Sequence, residues 1–158
     1  MPFIGWHLNR SGQIPIDVST QRSSITSLSA GVRALKGGLP LVIFPEGGRT
    51  SDGHPQSFQS GAAYLAIKAQ VPLVPMALVN AYGLLPIHTR HLHPRPVQLI
   101  VGEPISTEGI TTRQMNELNN RLRAEVCRLY YENGGIPRTQ AESEEIPASE
   151  SSTYEQTR

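Results

Sequence analysis

The chain has one cysteine, one tryptophan and an aromatic fraction of only 6% in 158 residues. Each scarcity removes a class of explanation. With Cys127 alone, no internal disulfide can form, which suits a reducing compartment. No apolar run approaches the roughly 18 residues a membrane-spanning helix needs. The longest candidate, Val71 to Val79, is broken by Pro72 and Pro75. Charge of one sign is also lacking. Of 14 Lys and Arg and 13 Asp and Glu, the last 26 residues take two Arg and five Glu, leaving residues 1–132 a basic surplus of four. That is a mild attraction to anions, well short of a nucleic-acid stripe. The start, Met1-Pro2-Phe3-Ile4-Gly5-Trp6, lacks the charged flank and cleavage site of a signal peptide. A Walker loop, a Gly-x-Ser-x-Gly elbow and a Gly-x-Gly-x-x-Gly fingerprint are missing too.

What the chain does have is punctuation: 14 Gly and 13 Pro divide it into short alternating elements. Gln13 to Asp17 reads as a strand. Ser19 or Thr20 then caps a helix running to about Leu35, with Ile25, Leu28, Val32 and Leu35 on one face and Gly37-Gly38 as its stop. A strand is expected at Leu41 to Phe44, a helix capped by Ser60 at Gly61 to Ala69, and a buried strand at Leu73 to Val79 that its prolines confine to an edge or an irregular ladder. A further strand follows at Val97 to Val101. The last helix opens near Thr111 or Thr112, with Gln114 as capping-box partner, and runs to about Tyr131 along Met115, Leu118, Leu122, Val126 and Leu129. The order predicts an α/β domain over residues 1–132, a mixed sheet flanked by helices. Residues 133–158, rich in Gly, Pro, Ser, Thr and Glu, read as a disordered acidic tail.

The stretch richest in chemistry is Phe44-Pro45-Glu46-Gly47-Gly48-Arg49-Thr50. An apolar segment delivers a polar loop, as α/β proteins do where a strand meets a ligand. Two glycines admit close backbone approach to an anion, and Arg49 adds a planar fork able to take two phosphate oxygens. The plain alternative is a strand-to-helix turn in which Arg49 pairs with Glu46 or Asp52.

Four segments in order, Gly12-x-Ile14-Pro15-Ile16-Asp17, Phe44 to Thr50, Phe58-x-x-Gly61-Ala62 and Val71-Pro72-Leu73-Val74-Pro75, resemble the glycerolipid acyltransferases, specifically the bacterial 1-acyl-glycerol-3-phosphate acyltransferases. The resemblance covers roughly residues 3–130 and three of that family's four sequence blocks. It implies transfer of a fatty acyl group from acyl-CoA or acyl-ACP to lysophosphatidic acid, giving phosphatidic acid, with no cofactor. It also implies peripheral attachment at the cytoplasmic face of a bacterial inner membrane. Glu46, Gly47, Gly48, Arg49, Thr50 and Asp17 would bind substrate, and Pro72 and Pro75 would support the acyl site. Asp17 has an alternative reading as a turn cap, and the two prolines as shape alone.

The departures bear on chemistry. The family's second block ends in Ile-Asp-Arg, whereas Val18 follows Asp17 here, and Gly48 and Thr50 stand where Thr and Ser are usual. The family's first block, His-x-x-x-x-Asp, supplies a general base and the carboxylate that orients it. Here the position five after each of the five His holds Gly12, Gln59, His93, Pro96 or Gln98. No catalytic residue can therefore be assigned within the chain, and the expectation is a domain whose start falls after that block. The competing expectation is a non-catalytic module for phosphate or anionic lipid, or an inactive fragment. His88-x-x-His91-x-His93 sits among prolines without a carboxylate at ligand spacing and reads as a solvated basic loop, so no metal is expected. Cys127 falls beside the last helix's apolar seam, without an activating partner.

Overall fold

The computed structural model describes residues 21–85 and 91–137, with side chains from residue 26 onward. Helix α1 spans Gln21–Lys36. Its Leu28, Val32 and Leu35 are half-buried, and Gly31 is buried where a Cβ would lie 2.9 Å from Leu65 Cδ2. A bare backbone at that point lets α1 approach the next helix closely. The N–H groups of Gly37 and Leu39 return to the carbonyls of Arg33 and Ala34 at 3.0 and 3.1 Å, and Gly38 takes φ +83°, so the helix stops at the glycine pair.

Residues 41–44 correct the expectation of a strand: no ladder forms there among the described residues. The period-2 alternation is nevertheless visible. Leu41 and Ile43 are half-buried, while Val42 and Phe44 are 79% and 71% exposed. The pattern specifies which side faces inward, but a strand also requires a hydrogen-bonded neighbour.

Helix α2, Gly61–Ala69, buries Ala62, Ala63, Leu65, Ala66 and Ile67. Ser60 sits at its N-cap without the expected side-chain bond, and Gln70 closes it in the left-handed region at φ 55°. Strand β1, Met76–Val79, pairs antiparallel with β2, Gln98–Val101, in the register Ala77 opposite Ile100 and Leu78 opposite Leu99. This two-stranded antiparallel sheet is the ladder found among the described residues, where a mixed sheet is expected. An isolated bridge joins Leu73 to Ile105, and buried Thr107 donates its hydroxyl to the Val71 carbonyl at 2.8 Å.

A 3-10 turn, Thr112–Gln114, leads into α3, Met115–Glu132. Gln114 Oε1 accepts the Thr111 backbone N–H at 3.2 Å, the reciprocal half of a capping box. The seam of α3 serves two clusters. Leu118 and Leu122 pack with Ala62, Ala63, Ile67 and Ile105, and Leu129 and Tyr130 pack with Ala77 and Val79 on the inner face of the sheet. Each fully buried Leu, Ile or Val side chain among them contributes about 1.5–3 kcal/mol. The chain past α3 returns to the helix: Gly135 N–H reaches the Tyr130 carbonyl at 2.9 Å. The remainder of the expected tail, from residue 138, lies outside the described residues.

Candidate phosphate-binding loop

The loop from Phe44 to Gln59 is closed at its base by backbone. Gln59 N–H donates to the Pro45 carbonyl at 2.7 Å, and Gly47, at φ +72°, donates to the Phe44 carbonyl at 3.2 Å. Glu46, half-buried, accepts the Gln56 N–H on Oε2 at 2.9 Å and so joins the two arms. The Thr50 hydroxyl donates to the Asp52 carboxylate and accepts from the N–H groups of Asp52 and Gly53 and from Gln56 Nε2. His54 N–H adds a bond to the same carboxylate at 3.0 Å. These donors, Thr50 foremost, hold the Asp52 carboxyl below its ordinary pKa.

Helix α3 fixes this second arm from behind. Asn119 Nδ2 donates to the Phe58 carbonyl at 3.0 Å and Arg123 Nε to the Gln56 carbonyl at 3.1 Å. The buried Tyr130 hydroxyl donates to the Gly53 carbonyl at 2.8 Å and accepts the Ile136 N–H at 3.2 Å. His54 Nδ1 lies 3.2 Å from the Tyr131 hydroxyl. On the other side, the Tyr82 hydroxyl donates to the Ser51 carbonyl at 2.7 Å. Sequence reasoning missed Asn119, Arg123, Tyr130 and Tyr82. Their common signal is a polar group placed where an apolar residue would continue the seam or the strand.

The tip differs. Gly48 has nothing within 4 Å of where a Cβ would sit, and among the described residues no protein acceptor takes the N–H of Gly48 or Arg49. Arg49 is exposed and donates from Nη1 to the Leu85 carbonyl at 3.1 Å. It forms no ion pair with Glu46 or Asp52, the pairing that an ordinary turn would have predicted. The structure therefore brings Glu46, Gly47, Gly48, Arg49 and Thr50 into one loop and divides their work. Glu46 and the Thr50 hydroxyl are engaged internally, whereas Gly48 and Arg49 present donors outward.

The other expected residues lie apart. Asp17 is outside the described residues. Pro75 is fully buried and accepts the Gly102 N–H at 2.9 Å, while Pro72 is exposed. Neither of two described cavities is lined by the loop; the larger, about 560 Å³, is lined by Cys127, Arg128, Tyr131 and Pro137 at the C-terminal part of α3. Among the described residues, no three His, Cys, Asp or Glu side chains gather for a metal, and no helix is long and apolar enough to cross a membrane.

The fold and this loop define an α/β domain with an exposed guanidinium and open backbone amides at the tip of one loop. The acyltransferase family profile matches residues 1–79, half of the chain, and the chain belongs to that family. It is 34% identical over 125 residues to the 1-acyl-sn-glycerol-3-phosphate acyltransferase of Pseudomonas aeruginosa, a match covering 78% of this chain and 48% of the relative. The enzyme of that name from Helicobacter pylori is 29% identical over 133 residues, covering 84% and 56%. In structure, the 1-acyl-sn-glycerophosphate (LPA) acyltransferase of Thermotoga maritima superposes with a TM-score of 0.70 at 24% identity, over 87% of this chain and 54% of that one, and shows the α/β acyltransferase fold. The chain spans about half the length of the curated relatives it matches.

Proposed function

We propose that this chain carries the acceptor-binding part of an enzyme that acylates lysophosphatidic acid to phosphatidic acid in phospholipid synthesis, with acyl-CoA or acyl-ACP as donor. One observation carries the reading: Arg49, without a carboxylate partner, stands beside the Gly48 amide, and among the described residues no protein acceptor takes the N–H of Gly48 or Arg49. The acceptor phosphate would bind Arg49 through paired charge-assisted hydrogen bonds, with the N–H groups of Gly48 and Arg49 on a further oxygen. Glu46, holding the two arms together, keeps those donors in place. In the transfer, the acceptor hydroxyl oxygen attacks the thioester carbonyl, a C–O ester bond forms, the C–S bond breaks, and the hydroxyl proton passes through a base to the leaving thiol. No His in this sequence has a carboxylate five residues on, so the base is not assigned to the chain.

Thiol release from acyl-CoA with lysophosphatidic acid tests the reading. Arg49→Ala should raise the acceptor KM at least tenfold, an effect of about 1.4 kcal/mol or more, and Arg49→Lys should recover little because the planar fork is lost. Unchanged kinetics in both variants would remove Arg49 from the site. The outward donors of Gly48 and Arg49 equally suit a second reading, a module that binds phosphate or anionic lipid without turnover. Saturable lysophosphatidic acid binding with no thiol release selects it. The basic surplus of residues 1–132 supports peripheral residence on an anionic membrane surface, at the cytoplasmic face of a bacterial inner membrane. Co-sedimentation with anionic but not neutral vesicles tests that placement.

A further inference from the structure

The turn after β1, Ala81 to Leu85, collects more contacts than its unremarkable sequence suggests. Leu84 N–H closes it onto the Ala81 carbonyl at 3.2 Å, and the Leu84 carbonyl accepts the His93 N–H at 2.8 Å. That second bond draws the segment His93-Pro94-Arg95-Pro96 alongside. Pro96 holds Arg95 to an extended backbone, so its side chain leaves from a stiff support. The Arg95 guanidinium lies over Gly83: a Cβ built there would meet Nη1 at 2.0 Å and Cζ at 2.6 Å. Two residues on, the Leu85 carbonyl receives Arg49. Two trans-linked steps of chain span at most about 7 Å.

One short turn thus has two guanidiniums beside it, one bonded to it from the glycine loop and one lying over Gly83 from beyond β1. Both are exposed, and among the described residues neither has a carboxylate at ion-pair distance. Like charges gathered at one turn oppose each other, since at physiological ionic strength screening takes hold over about 8 Å. The arrangement lowers its free energy when an anion joins it. A phosphate monoester, carrying about −1.5 to −2 at neutral pH, matches two guanidiniums in charge; a diester, with one negative charge, does not.

We propose that Arg95 is a second phosphate-binding residue, which with Arg49 makes the Gly83–Leu85 turn a site selective for the dianionic monoester over the diester. This rests on the acceptor-binding reading of the glycine loop and extends it to a residue outside every segment that carries the family resemblance. Gly83 serves the site by leaving room for the guanidinium.

Calorimetric titration of the full chain with glycerol 3-phosphate, inorganic phosphate, short-chain lysophosphatidic acid and the diester glycerophosphocholine tests the proposal. For the native chain, the monoesters should bind at least tenfold more tightly than the diester. Affinity should fall as pH drops through about 6, where the second phosphate proton returns. Arg95→Gln should weaken monoester binding about tenfold, leave diester binding nearly unchanged and flatten that pH dependence. Gly83→Ala, which keeps the charge but evicts the guanidinium, should do the same, while the exposed control Arg113→Gln should not. Native pH dependence and selectivity in both Arg95→Gln and Gly83→Ala would overturn the role of Arg95 while leaving Arg49→Ala free to abolish binding. Failure of the native chain to bind any monoester would overturn the acceptor-binding reading itself. Equal binding of inorganic phosphate and lysophosphatidic acid would mark a general phosphate site, and preference for the lysolipid would place the acyl chain in it as well.

Discussion

The two halves of the glycine loop are built on opposite plans. From Thr50 to Gln59 the arm is tied down by hydrogen bonds centred on Thr50, Asp52 and Gln56, and three of its carbonyls are taken by side chains of α3. At the tip, Gly48 touches nothing, and among the described residues no protein acceptor takes the N–H of Gly48 or Arg49. The contrast shows how a small domain can hold an open loop tip without losing its geometry. The ordering free energy is supplied by one arm, and the other is left with unpaired donors for a ligand. An evenly bonded loop would be equally rigid but would have no donors to offer.

Glycine substitutions break the comparison most directly. Gly53, at φ +87°, is buried with its missing Cβ 2.3 Å from Ile136 and 3.0 Å from the Tyr82 ring. Gly53→Ala should cost about 3 kcal/mol of unfolding free energy through backbone strain and overpacking, read by urea denaturation. Less severe is Tyr130→Phe, which leaves the Gly53 carbonyl and the Ile136 N–H without their shared hydroxyl. A loss of about 1–2 kcal/mol is expected, and a change within 0.3 kcal/mol would show that α3 does not hold the loop.

A smaller effect concerns Asp52, whose carboxyl Thr50 and the His54 N–H hold below its ordinary pKa. A depressed pKa in the folded state means that the contribution is fully present above the unfolded value and disappears as pH falls through the folded one. Amide resonances of Gly53 and His54 should therefore shift together on acidification below the usual carboxylate range, and Asp52→Asn should remove that transition. Titration of Asp52 at its ordinary value would contradict the Thr50 bond. At the small end, Gly48→Ala should change stability by less than about 0.5 kcal/mol, because the position is open and its φ is not positive. A larger loss would mean that the tip is not the open arm.

Local chemistry was legible wherever the determinants were local. Helix α2 was readable residue for residue from its glycine start and continuous small apolar run, and α3 from the spacing of Leu118, Leu122, Val126 and Leu129. The Glu46 to Thr50 loop stood out because glycine pairs and a following arginine are meaningful without knowing what lies nearby. Residues 41–44 misled because alternation reports facing and says nothing of a pairing partner. The clamp on the second arm was invisible for a related reason: Tyr130 and Gly53 are 77 positions apart, and no periodicity links them. Arg95 escaped notice because its significance comes from Gly83 and Leu85, and the segment that holds it carries no helical or strand pattern.

The bond between Ile136 and the Tyr130 hydroxyl also has a practical consequence for anyone trimming the gene. Composition alone suggests stopping at 132, yet that cut would discard the isoleucine that roofs Gly53 and loosen the glycine loop far upstream. Shortened versions intended for crystals or ligand screens should keep the chain through at least Pro137.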